Sequence, residues 1–81
     1  MKHLTRDDKA RLITKCARSE GYGPKRLVAF YERIVSEGMG PGICVECEQV
    51  SDSMEPDQDQ GWCEHCGQQT VQSPLILAGV I

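Results

Sequence analysis

Two Cys-x-x-Cys pairs, Cys44-Val45-Glu46-Cys47 and Cys63-Glu64-His65-Cys66, stand fifteen residues apart in this chain. No other feature constrains the fold as much. Two residues between thiols let the backbone turn tightly enough to aim both sulfurs at one ion. A second pair then completes a tetrahedron with metal–sulfur bonds of about 2.3 Å. Gly67 follows the second pair, where such a turn needs a residue that tolerates positive φ. Glu48 holds the matching place after the first pair, so that turn is expected to be less ideal, or strained.

Four cysteines can also form two disulfides, but those belong to oxidising compartments. The stretch Met1-Lys2-His3-Leu4-Thr5-Arg6-Asp7-Asp8 has no apolar run of the kind an export signal uses. A fifth cysteine, Cys16, would also be left over. The expectation is one structural Zn2+ held by Cys44, Cys47, Cys63 and Cys66 in a cytoplasmic protein. Iron is the lesser alternative. A rubredoxin-type site normally has a wider gap between its pairs and an aromatic surround, and Trp62 is the only aromatic in this stretch.

Gly42, Cys44, Cys47, the turn Glu55-Pro56-Asp57, then Cys63-Glu64, Cys66 and Gly67 carry a resemblance. Over residues 42–71 the chain resembles the zinc-ribbon superfamily. More narrowly, it resembles small four-cysteine ribbon proteins encoded by bacteriophages and prophages. The resemblance implies two knuckles on a small antiparallel sheet. It covers a little over a third of the chain and implies no activity.

At 81 residues the chain makes one small domain, or a module with an appendage. Near this length a hydrophobic core alone seldom supplies more than about 3–5 kcal/mol. Structural zinc adds apparent binding free energy on the order of 10–16 kcal/mol. The longest apolar run, residues 74–81, is too short to span a bilayer, so no membrane role is expected.

The net charge of −3 hides a division. All nine Lys and Arg lie at or before Arg33, giving +4 over residues 1–38. From Met39 onward there are seven acidic residues and no basic one. Such asymmetry points either to an acidic partner for the first half or to attraction between the halves.

Residues 5–20 read as a first helix, with Thr5 as cap and Asp8 completing a variant capping box. Leu12, Ile13, Cys16 and Ala17 form its apolar stripe. Pro24 opens a second helix, whose stripe is Leu27, Phe30, Tyr31, Ile34 and Val35, with Gly38 as its stop. The two should pack as a hairpin over residues 1–38. A DNA-reading helix-turn-helix is the alternative, but a third helix to complete its core is not evident. Met39-Gly40-Pro41-Gly42 reads as a hinge, residues 43–72 as the ribbon with an exposed loop over 52–60, and residues 73–81 as an apolar tail. The fold class is therefore α+β, a helical hairpin followed by a small antiparallel zinc ribbon.

Four thiolates leave a metal no open position, so the ion is expected to be structural and the protein no enzyme. His65 within the second knuckle should point outward, and His3 has no evident partner. Cys16 reads as a buried small hydrophobe rather than a nucleophile. Two binding functions are weighed. In the first, the module engages another protein in an accessory or regulatory role through Trp62 and the tail residues Leu75, Ile76 and Leu77, and a homodimer through the tail is one form of this. Trp62, next to a ligand, reads first as a cover over the metal, with recognition, such as stacking on a base, as its lesser role. The tail has two other readings, as a closing strand or as a plug against the hairpin. In the second, Lys9, Arg11, Lys15, Arg18, Lys25 and Arg26 track phosphates as part of a nucleic-acid-binding regulator, although the ribbon's Glu46, Glu48 and Glu64 oppose this. A redox or metal-handling role for Cys16 or a labile knuckle is the weakest reading.

Overall fold

The structure, a computed structural model, describes residues 4–80. The order is α1 (Arg6–Ser19), a 3-10 turn (Pro24–Arg26), α2 (Leu27–Glu37), β1 (Gly40–Cys44), β2 (Val50–Met54), β3 (Gly61–Cys63), β4 (Gln68–Gln72) and a short helix α3 (Pro74–Leu77). The strands form one antiparallel sheet in the order β2-β1-β4-β3. Helices followed by a curled antiparallel sheet make the α+β class read from the sequence.

Helix α1 starts where local chemistry starts it. The Thr5 hydroxyl accepts the Asp8 N–H at 3.1 Å and the Asp8 carboxylate accepts the Thr5 N–H at 3.0 Å. Each satisfies a donor that a helix N-terminus leaves orphaned. These bonds, the backbone one first, hold the Asp8 carboxyl below its ordinary value. The stripe Leu12, Ile13, Cys16 and Ala17 is buried. In α2 only Phe30 and Ile34 are fully buried, with Leu27 and Tyr31 half-buried beside them. Val35 was expected in this stripe but is 64% exposed. Helix α2 is covered along one narrow line, so its apolar face is wider than the core that receives it.

Of the hinge expected at residues 39–42, Gly40, Pro41 and Gly42 are instead strand. Gly40 begins β1, and Pro41 and Gly42 are buried. Gly42 is there because nothing larger fits. A Cβ at that position would sit 2.8 Å from Met54 Cγ and 2.9 Å from Val71 Cγ1. Likewise β2 extends into the expected 52–60 loop, reaching Met54.

Alternation along β1 and into Val45, the first residue of the turn after it, decides what each face of the sheet covers. Ile43 and Val45 enter a core with Leu12, Ile13, Cys16, Ala17, Phe30, Ile34, Leu75 and Leu77. Cys44, between them, joins Cys63 and Val71 in a second cluster with Cys47, Met54 and Cys66 at its margin. One strand thus ties the helices to the cysteine face.

The tail is neither a closing strand nor an exposed strip. Ser73 caps α3, accepting the Leu75 N–H at 3.1 Å, and Pro74 takes the first helical position. Leu75 and Leu77 are buried against α1 and β1. The plug reading is the one the packing bears out.

Candidate metal centre

Each knuckle is a strand end followed by a tight turn. Cys44 ends β1 and Cys47 lies in the turn after it; Cys63 ends β3 and Cys66 lies in the next turn. The turns close alike, with Glu48 N–H donating to the Cys44 carbonyl at 2.9 Å and Gly67 N–H to the Cys63 carbonyl at 2.8 Å. Antiparallel pairing of β1 with β4 and of β4 with β3 brings the two knuckles together.

The four Sγ atoms all lie within 4.8 Å of one another. Cys44 Sγ to Cys66 Sγ and Cys47 Sγ to Cys63 Sγ are each 3.6 Å. A tetrahedron with bonds of about 2.3 Å has edges of about 3.8 Å. The donor set therefore fits a single tetrahedral ion, with only small inward movement of the longer edges. The free cysteines form no disulfides among themselves. His65 is exposed and does not belong to the cluster.

The surroundings favour ionised sulfur at one ligand and resist it at others. Burial pushes the Cys44 thiol up, but the N–H groups of Cys47 and Glu46 and the Thr70 hydroxyl stabilise its thiolate and bring it down to about 6. The Cys47 N–H lies 3.4 Å from Cys44 Sγ and Thr70 Oγ1 only 2.9 Å from it. Burial pushes Cys47 up to about 12, and burial and neighbouring thiols raise Cys66. A bound cation reverses this by replacing protons on the sulfurs.

Thr70 is the functional residue that sequence reasoning missed. No spacing flags it; it reaches the site only because Cys44 pairs with Val71 across β1 and β4. Its hydroxyl orients a ligand in the way outer-shell partners commonly do. Thr70→Val keeps the shape and removes the hydrogen bond. It is expected to weaken metal binding roughly tenfold, measured by competition with a chromophoric chelator.

The two knuckles differ in strain, as expected from Glu48. Glu48 has φ 63° where Gly67 has φ 71°. The left-handed region costs a non-glycine residue about 1–2 kcal/mol. Gly67→Ala should therefore lower stability of the metal-loaded protein by about 1–2 kcal/mol in urea unfolding. Glu48 is held in place by an ion pair to Arg11, with Lys15 Nζ 3.8 Å away. The Glu48 carboxylate, ahead of Asp8, holds Arg11 above its ordinary value. Attraction between the basic and acidic halves is thus real at this point of contact.

The remaining candidates are scattered. Lys9, Arg18, Lys25 and Arg26 are exposed, and the Arg26 guanidinium lies 5.1 Å over the Tyr22 ring. Trp62 is 56% exposed on β3, so it does not seal the metal site from solvent. Of the tail residues, Leu75 and Leu77 are core and Ile76 is half-buried. Cys16 is fully buried, and burial followed by the Glu20 charge pushes its thiol up to about 12, which makes it a poor nucleophile. His3 lies outside the described residues. Among the described residues no helix is long and apolar enough to cross a membrane. No family model, no curated protein and no solved structure matches the chain.

Proposed function

We propose that the chain is a non-catalytic zinc-binding module that engages another protein. The observation that carries the reading is closure of the site. Four cysteine sulfurs surround one point, so a tetrahedral ion has no position left for water or substrate. Zinc suits this donor set because it accepts four thiolates in tetrahedral geometry and has no redox chemistry of its own. When bound, it supplies structure. Cys44, Cys47, Cys63 and Cys66 hold it, Thr70 orients Cys44, and the Arg11–Glu48 pair steadies the first knuckle. An accessory role of the phage-encoded kind is in keeping with the ribbon resemblance.

The test is affinity capture with zinc-loaded protein after nuclease treatment. A stoichiometric protein partner that survives the nuclease is expected. Only nucleic acid, or nothing, would contradict the reading.

A nucleic-acid-binding regulator is the second reading, favoured by the exposed Lys9, Arg18, Lys25 and Arg26. Against it, Arg11 and Lys15 are engaged by Glu48, and the sheet half carries no cation. This reading requires a salt-dependent shift with duplex DNA, lost on charge reversal at Lys9 and Arg18. Failure to bind at low salt eliminates it, because phosphate contacts are strongest there.

A further inference from the structure

We infer that the cleft between β2 and β3 takes an extended, basic peptide segment of the partner protein as an added strand; this rests on the protein-binding reading above. Strands β2 and β3 stand at opposite ends of the sheet order, so among the described residues each has a strand neighbour on one side only. The sheet nevertheless curls until both line one cleft of about 450 Å³. Val50, Asp52 and Met54 come from β2, Trp62 from β3, and Glu64 and His65 from the second knuckle.

Three observations specify the occupant. Among the described residues β2 and β3 are the two end strands of the sheet and both contribute residues to this cleft; end strands keep backbone donors and acceptors for a further strand, which is how extended peptides are bound by strand addition. Trp62, 56% exposed, and the half-buried Met54 present apolar surface that alternate side chains of such a strand can cover. The third is charge. Asp52 and Glu64 line the cleft in a half of the molecule that has seven acidic residues and no basic one. That field attracts lysine and arginine and repels phosphate, and an incoming cation can also sit on the Trp62 ring. The exposed Trp62 and the cleft carboxylates Asp52 and Glu64 then serve one purpose.

The probe is a pool of fluorescent peptides of about eight residues, slightly longer than a typical strand, in which lysine or arginine alternates with valine, isoleucine or threonine. It is titrated into zinc-loaded protein by anisotropy, with amide exchange followed in parallel. The expected result is saturable binding that slows exchange along both Val50–Met54 and Gly61–Cys63. Trp62→Ala should weaken it about tenfold, as loss of an aromatic anchor does. The surface double variant Asp52→Lys with Glu64→Lys, which leaves the tryptophan in place, should weaken it as well. Equal binding of peptides carrying glutamate in place of the cations would overturn the inference. So would protection confined to the helices, or displacement of the peptide by single-stranded DNA. Metal-loaded protein that ignores the pool contradicts the cleft alone, whereas a protein unable to hold zinc contradicts the module beneath it.

Discussion

Stripping the metal is expected to unfold the whole protein in one step, sheet and helices together. Structural zinc contributes apparent binding free energy on the order of 10–16 kcal/mol, while small proteins are stable by only about 5–15 kcal/mol in total. The metal-free chain therefore has only the turn hydrogen bonds and the Arg11–Glu48 pair to hold the knuckles, too little to keep them formed, and β1 loosens with them. Because Ile43 and Val45 flank Cys44 and sit in the core beneath α1 and α2, the loss spreads to the helices. Circular dichroism during titration with a strong chelator should lose helical and sheet signal in parallel. Cys63→Ser should do the same at ordinary zinc concentrations, since three thiolates hold the ion far less well. Acid should act in the same direction. The Cys47 thiol, pushed up to about 12, and the raised Cys66 bind protons that the metal must displace, so affinity falls as pH falls. A helical signal that persists after complete zinc removal would contradict the coupling through β1.

Leu75→Ala is expected to destabilise the zinc-loaded protein by about 2–5 kcal/mol, the range for emptying a buried leucine position. Leu75 is wholly buried, in the same core as Leu12, Cys16 and Ile43. An exposed docking residue would change stability by less than about 0.5 kcal/mol. Urea unfolding at fixed zinc concentration separates the two outcomes cleanly. The result also bears on partner binding. Truncation after Ser73 would remove both Leu75 and Leu77 from the core, so a lost interaction in that variant reports unfolding rather than a missing contact.

What the sequence made legible was what local chemistry decides. The Thr5–Asp8 box and the Leu12-Ile13-Cys16-Ala17 stripe depend on neighbours within a turn or two, and both stand as read. The knuckles were legible because two residues between thiols admit few geometries, and even the strain at Glu48 followed from comparison with Gly67. The failures share one cause, contact across the fold. Gly-Pro-Gly reads as a hinge, yet Gly42 is small because Met54 and Val71 press on it. Val35 keeps the helical period of a core residue, but no described element covers it. Three readings of Leu75-Ile76-Leu77 were consistent with composition, and only packing against α1 and β1 selects one. Thr70 has no local signature, because strand register alone brings its hydroxyl to Cys44.

X-ray absorption at the zinc edge of the purified protein puts the four-sulfur site to the plainest trial. Four sulfur neighbours at about 2.3 Å, with no nitrogen or oxygen in the shell, are predicted. A shell containing nitrogen from His65, an open position filled by water, or metal-free protein with the thiols joined as disulfides would contradict it.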